Sequence, residues 1–294
     1  MVAIGNFDGV HLGHQKILKC LEKKAKEYEL FSLVLTFFPH PGQLLGKDGI
    51  KMIQTLDQRI SGIKKFDIQG VLIVPFNENF ARISGQDFIQ DTVLKRLKAQ
   101  AIIVGENFHF GKNREGDTAL LRRLSLKYKF RICPVPSVIK EKETVSSSLI
   151  RSYLREGKVE RVSQLLGRPY EIEGKVIRGQ SRGKSLGFPT ANIETENEII
   201  PPGVFITQTR IGTKILPSIT NVGSQPTFDQ RNVNIESYIL NFEKNLYGEH
   251  IGIYFLKKIR DEIKFSTPND LARQLEKDLK ATQTHFRRKN RIPD

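Results

Sequence analysis

Cysteine is scarce in this chain. The 294 residues hold two, Cys20 and Cys133, far apart in the sequence and with no second pair beside them. That pattern excludes a zinc knuckle built from cysteine pairs and argues against a disulfide scaffold. Long apolar runs are missing as well: no stretch approaches the roughly 18 uncharged apolar residues of a membrane span. No basic-then-apolar leader with a cleavage site opens the sequence, so a reducing cytoplasm is the expected compartment. There is no internal repeat and no low-complexity linker. Nor is there a long block of one charge sign, except near the end around Arg287, Arg288, Lys289 and Arg291.

What is present is ordinary globular composition, with 38% hydrophobic and 27% charged residues, 23 Gly and 13 Pro. The length is about twice that of a usual domain, which points to two domains, each able to bury a core. The formal net charge of +15 invites a nucleic-acid-binding reading. Its distribution tempers that: residues 1–160 carry 26 basic and 17 acidic side chains and 161–294 carry 21 and 15, so the excess is spread over both halves. A diffuse positive field suits any polyanionic ligand, nucleotides included, and also serves solubility.

The first half alternates short apolar runs with helical patterns. VAIG (2–5), SLVLTF (32–37), VLIVPF (71–76) and AIIVG (101–105) read as strands of a mostly parallel sheet. Ile17, Leu18, Leu21, Ala25 and Tyr28 recur at helical spacing, and Ser84 with Asp87 resembles a capping box at the head of a helix over 84–99. A last helix is expected from Ser148 to about Leu166, stopped by Gly167 and Pro169. Beyond Pro169 the grammar changes to evenly spaced strand segments at 170–179, 203–211, 214–220, 232–242 and 250–259, separated by Gly, Pro and Asn turns. This predicts a compact antiparallel barrel. A terminal helix over 265–286 has Ser266 or Thr267 as its cap and Leu271, Leu275 and Leu279 on one face.

The sharpest local feature is GNFDGVHLGHQ (5–15), placed where the first strand ends and the first helix begins. Gly5, Gly9 and Gly13 let the backbone turn tightly and approach a ligand, and the helix start offers free N–H groups and positive dipole to a phosphate. His11 and His14 are three apart, so both rings can face the same phosphates and stabilise charge there. Zinc held by His11 and His14 is the weaker reading, because further ligands are poorly spaced. Asp8 can hold a proton, a cation or only a turn. Two later segments return to the same sheet edge: VGENFHFGKNREGD (104–117), with Asn107 to read a base or ribose and Phe108 to line or stack, and VSSSLIRSYLREG (145–157), where Ser147, Ser148 and Arg151 suit a polyphosphate.

In the second half, RGQSRGKSLGFPTANIE (178–194) crowds Gly179, Gly183 and Gly187 with Arg182 and Lys184, a composition suited to a phosphate-holding nest. It is not a P-loop, since Arg178 stands where the first glycine would be. Thr190 and Asn192 alternate on an extended segment, so both oxygens can face one Mg²⁺ or phosphate, or simply shape a turn. Asn234, Glu236 and Tyr238 share one strand face and Val233, Ile235 and Ser237 the other. A Glu236 carboxylate at a barrel mouth can act as a base.

GNFDGVHLGH, TFFPHP (36–41), VGENFHFG and VSSSLIRxxLxxG, in this order, resemble the nucleotidyltransferase half of the bifunctional riboflavin kinase/FAD synthetase family. The stretch from GKVIRGxxRGKxLGFPTANI through PPGVF, ITNVGxxPTF, NLYG and the IRxExKF run resembles its riboflavin kinase half over about 169–283. The resemblance implies an α/β chain with a Rossmann-like nucleotidyltransferase domain at 1–160 and a riboflavin-kinase-like barrel with terminal helix at 169–294. It implies phosphorylation of riboflavin by ATP to FMN, then AMP transfer from a second ATP to FMN, giving FAD and pyrophosphate, with Mg²⁺. By this resemblance, Gly5, Asn6, Phe7, Asp8, Gly9, His11, Gly13 and His14 lie around the ATP phosphates, and Asn107 and Phe108 help hold nucleotide or metal. His40 sits near nucleotide or flavin, and Ser147, Ser148 and Arg151 form a phosphate-binding segment. Gly179, Arg182, Gly183, Lys184, Thr190 and Asn192 position Mg-ATP, and Glu236 is the base. The chain departs from the family at Ser148, where Thr is common, at Tyr238, where His is common, and at Asn241, where Asp is common. Met1 stands directly before the first strand although members carry a short preceding segment, which points to a missing lead-in or a later start. Competing readings are a member with one activity only, a transferase for another phosphorylated substrate such as a pantetheine or glycerol phosphate, and a nucleic-acid binder. The expected partners are small molecules, with no nucleic acid and no membrane, and the state of assembly is left open.

Overall fold

The computed structural model describes residues 1–45, 50–179, 188–224 and 233–289. By density of contacts the chain divides into two compact units, 1–149 and 150–294.

The first unit is built on five parallel strands, β1 (Val2–Ile4), β2 (Leu33–Phe38), β3 (Gly70–Pro75), β4 (Ala101–Gly105) and β5 (Arg131–Val135), in the order β3-β2-β1-β4-β5. The order reverses direction at β1, so the connections leaving β1 and β4 diverge and open a crevice at the carboxyl ends of these neighbours. Two apolar layers cover the sheet. Val2, Ile4, Leu35, Ile102 and Val104 face one way, against Phe88, Leu121 and Leu124. Ala3, Val34, Ala101 and Ile103 face the other, against Leu18, Leu21 and Ala25 of helix α1 (Leu12–Glu27). That alternation along strands buried on both sides is what a parallel sheet demands.

The helix expected over 84–99 starts as anticipated, with the Asp87 N–H donating to Ser84 Oγ at 3.1 Å. From Phe88 to Arg96 it widens, and the Leu97 N–H reaches back five residues to the Thr92 carbonyl. The apolar periodicity of Phe88, Ile89 and Val93 does not distinguish this wider winding from an α-helix. An antiparallel ribbon, β6 (Ile139–Lys140) and β7 (Glu143–Thr144), follows β5.

The single helix expected from Ser148 to Leu166 is two, Ser147–Arg155 and Val159–Leu166. Gly157 breaks it: its φ of +70° is the left-handed region, and a Cβ there would collide with the Pro202 carbonyl and the Lys258 side chain. Gly167, also left-handed at +69°, ends the second helix where the sequence indicated.

The second unit is a closed antiparallel barrel of β8 (Tyr170–Ile177), β9 (Thr190–Thr195), β10 (Gly203–Ile211), β11 (Lys214–Ser224), β12 (Val233–Ile239) and β13 (His250–Arg260), in the order β10-β11-β12-β9-β8-β13. The segment at 190–195, read from sequence only as extended, is a full strand of it. The terminal helix spans Pro268–Lys289 and is capped by Thr267, whose Oγ1 accepts from the Asp270 N–H. Its leucines are only half-buried, and the fully buried positions of the inner face are polar, Asp278 at 1% exposed and Thr282 at 0%. Asp278 takes two oxygens' worth of hydrogen bonds from the Arg260 guanidinium at 2.9–3.3 Å and one from Gln274 at 2.9 Å. Among the described residues no helix is long and apolar enough to cross a membrane.

Candidate functional site

In the first unit, the loop after β1 is a strained cradle. Phe7, Gly9 and Val10 all have positive φ, at 52°, 88° and 40°. For a β-branched residue such as Val10 that conformation is costly, and it persists because its surroundings hold it: Val10 is buried and its carbonyl accepts from the Gln15 side-chain amide at 2.9 Å. The twisted backbone delivers His11 to the N-cap of α1, where Nδ1 accepts the His14 backbone N–H at 3.3 Å. With Nδ1 used as an acceptor, the neutral ring carries its proton on Nε2, which is then a donor. The His14 ring stacks on His11, centroids 3.7 Å apart, and leans against Phe7 at 5.2 Å. Gly13 makes room for this stack, since a Cβ there would lie 3.1–3.2 Å from the His11 ring.

Asp8 points inward. It is 1% exposed, and its carboxylate accepts the backbone N–H groups of Ile53 and Gln54 at 3.1–3.3 Å, so the side chain braces the loop from beneath. Its carbonyl accepts from Ser147 Oγ at 3.0 Å, which ties the start of the helix Ser147–Arg155 to the loop. Ser148, next along, is exposed, and Arg151 is buried one turn further on. His40 caps the turn Pro41–Leu44: Nδ1 accepts from the Gly42 N–H at 3.0 Å and Nε2 meets the Asn6 side-chain amide at 3.0 Å. At the end of β4, Asn107 is exposed with its amide donating to Ser137 Oγ at 3.3 Å, and Phe108 stacks on Phe110 at 5.4 Å.

One residue of this cluster escaped the sequence reading. Arg59, 1% exposed, donates from Nη1 to the Asn6 carbonyl at 2.9 Å and from Nη2 to the Phe37 carbonyl at 3.2 Å, joining the ends of β1 and β2. Burial pushes its guanidinium down from the ordinary arginine range and the nearby Asp8 carboxylate holds it up. A fixed cation beneath the loop adds to the positive end of α1. Its only sequence signal is a charge at helical spacing between the apolar Leu56 and Ile63, which a solvated helix face shows equally well.

In the second unit, β9 and β12 align Asn192 with Glu236 and Thr190 with Tyr238, and β11 sets Asn221 on the far side of Glu236. Ile235, Ser237 and Ile239 are buried inside the barrel, so Glu236 is half-buried on the outer face of the wall. The alternation read from sequence had the faces right, while period two does not say which face turns inward. One Glu236 oxygen accepts from the Asn234 amide at 2.8 Å. Tyr238 meets Phe188 edge-on at 5.3 Å. Gly179 lies directly under Asn192: any Cβ there would overlap the Asn192 side-chain amide. Arg182, Gly183, Lys184 and Gly187 fall outside the described residues. Thr190 and Asn192 offer hard oxygen donors beside a carboxylate, the donor type that Mg²⁺ accepts when most of its shell is water and substrate phosphate, so the residues fit that ion. Among the described residues no group of three His, Cys, Asp or Glu side chains is placed to hold a metal.

Residues 1–149 match the FAD synthetase family model and residues 166–286 the riboflavin kinase model. The chain is 37% identical to a bifunctional riboflavin kinase/FMN adenylyltransferase of Buchnera aphidicola subsp. Schizaphis graminum, covering 97% of this chain and 93% of that protein. Proteins of the same description from Bacillus subtilis and Escherichia coli K12 are 36% and 33% identical, each over 97% of this chain and 92% of theirs. A crystal structure from Streptococcus pneumoniae, described as a macrolide-efflux protein, superposes with a TM-score of 0.89 at 29% identity, covering 96% of this chain and 93% of that one. Two family models that together cover most of the chain, and relatives that align along nearly its whole length, place this chain in the bifunctional riboflavin kinase/FMN adenylyltransferase family.

Proposed function

We propose that the protein makes FAD in two steps, phosphorylating riboflavin to FMN with ATP and then joining FMN to AMP from a second ATP with release of pyrophosphate. The observation that supports this reading is that one chain carries His11 stacked on His14 at a helix N-terminus and Glu236 in register with Asn192.

For phosphorylation, Glu236 takes the proton from the terminal ribityl hydroxyl as that oxygen attacks the γ-phosphate, and Asn234 orients the carboxylate through the hydrogen bond it already makes. Thr190 and Asn192 would hold Mg²⁺, and Gly179 leaves the space that the Asn192 amide occupies. When bound, the ion neutralises charge on the transferring phosphoryl group. For adenylyl transfer, the nucleophile is an FMN phosphate oxygen, ionised near neutral pH, so no strong base is required. His11 Nε2–H, His14 and the N–H groups opening α1 orient the ATP phosphates and stabilise the charge that moves toward pyrophosphate. Asn107 and Phe108 hold the nucleotide, His40 keeps Asn6 in place, and Ser147, Ser148 and Arg151 close on the phosphates. Asp8 and Phe7 shape the cradle. The domains divide near 160–169, and the protein works in the cytoplasm on small molecules.

Purified protein given riboflavin, ATP and Mg²⁺, with the flavins separated over time, yields FMN first and FAD second. Absence of product at either step overturns the two-step reading.

A further inference from the structure

The interior of the barrel contains a feature the reaction just described does not use. Thr207 and Thr209 of β10, Ser218 and Thr220 of β11 and Ser237 of β12 are all fully buried. Their hydroxyls are joined Thr207–Ser218 at 2.8 Å, Ser218–Thr209 at 2.8 Å, Thr209–Ser237 at 3.3 Å, Ser237–Thr220 at 3.1 Å and Thr220–Thr207 at 2.8 Å. The five contacts form a closed ring. Thr209 donates to Ser218 and Thr220 donates to Ser237, and both run the same way around it. With that direction fixed, every hydroxyl donates once and accepts once, and none needs water.

A barrel of this size fills its centre with apolar side chains at little cost, so five hydroxyls are not required for stability. What a closed ring adds is geometry. Each bond requires a partner at a set height on another strand, so the ring fixes the registers of β10, β11 and β12 together, where apolar contacts alone tolerate a slip. Ser237 is the ring member on β12, and its neighbour through the wall is Glu236. On its other side, among the described residues, β12 is paired with three residues of β9, with Glu236 against Asn192 among them.

We propose that this hydroxyl ring sets the position of Glu236 against Asn192, making Thr207, Thr209, Ser218, Thr220 and Ser237 positioning residues for riboflavin phosphorylation. The proposal rests on Glu236 being the base of that step.

The test uses the full chain with Thr207→Val, Thr209→Val, Ser218→Ala, Thr220→Val and Ser237→Ala combined. Removing all five hydroxyls leaves no unpaired partner, so the barrel retains its fold. The expected result is a fall in kcat for FMN formation of at least about tenfold with KM for ATP little changed, because a misplaced base slows chemistry more than it weakens binding. FMN adenylylation in the same preparation reports on the rest of the chain and stays at its starting rate. Thr209→Ser, which keeps its place in the ring, restores kcat relative to Thr209→Val. If the combined variant does not fold, Thr220→Val alone is read in the same way. Wild-type kcat for FMN formation in a folded variant lacking the ring overturns the proposal. Glu236→Gln separates the two ideas: if it is inactive while the ring variant is fully active, only the ring fails. If Glu236→Gln phosphorylates riboflavin normally, the base assignment fails and the ring's role falls with it.

Discussion

The imidazoles of His11 and His14 lie face to face, 17° from parallel, with the backbone N–H of His14 donated to His11 Nδ1. One residue thus fixes the other's orientation, and the pair presents a single flat surface at the start of α1. Replacing His14 with Ala removes the outer ring without touching the barrel. FAD formation from FMN should fall by about 10²–10³ in kcat, the usual loss for a charge-stabilising donor, with riboflavin phosphorylation unchanged. A variant that still adenylylates FMN at the wild-type rate contradicts the proposed role. Gly13→Ala should show a milder version of the same defect, since its new methyl presses on the His11 ring.

Gly179→Ala is the corresponding test in the barrel. The added Cβ occupies the place of the Asn192 amide, so Asn192 must leave its position beside Glu236. Kinetics of FMN formation should show a loss of tenfold or more, about the scale expected when a ligand-positioning group is displaced. Adenylylation of supplied FMN should be untouched, and equal loss of both activities would point instead to general misfolding.

The terminal helix gives a stability prediction. Asp278→Ala leaves the Arg260 guanidinium, 15% exposed, facing a dry interface without its acid. Denaturant unfolding of the variant should show a loss of about 3–5 kcal/mol, the range for breaking one side of a buried ion pair. A change below 1 kcal/mol by this measurement, on the order of a surface pair, would mean that the helix is held by its leucines instead.

Cys20 supplies a pH prediction. Cys20 on α1 and Cys133 on β5 are hydrogen-bond neighbours despite their separation in sequence. Burial first, and then the Cys133 thiol, push the Cys20 thiol up from its ordinary range, more than Lys24 and Lys23 pull it down. A raised pKa means less thiolate at a given pH, so iodoacetamide labelling of Cys20 in the folded protein should lag a free thiol at neutral pH. The gap should close only under more alkaline conditions. Labelling at the free-thiol rate at pH 7 would show that the pair opens to solvent.

The sequence carried most of the elements clearly, because their signals are local. Apolar runs gave four of the five parallel strands, and GNFDGVHLGH placed the cradle at a strand end. What it left hidden depends on contacts between distant segments. Arg59 is a plain helical cation until β1 and β2 converge on it. Asp8 has the composition of a ligand-binding acid until residues 53 and 54 claim its oxygens. Glu236 alternates correctly, yet only barrel closure decides which side of the wall is inside. The Cys20 and Cys133 pairing and the hydroxyl ring are likewise products of topology.

Closure of the barrel also separates the two units by the hazards each meets outside the native state. A closed sheet has no terminal strand, so once formed it offers no ladder of unpaired N–H and C=O groups to a second molecule. The open sheet ends at β3 and β5, and each is blunted: β3 stops at Pro75, and β5 carries Pro134, which donates no hydrogen bond, and Arg131. Chains that associate during refolding should therefore stick through β3 or β5, or through barrels caught before β13 has met β10.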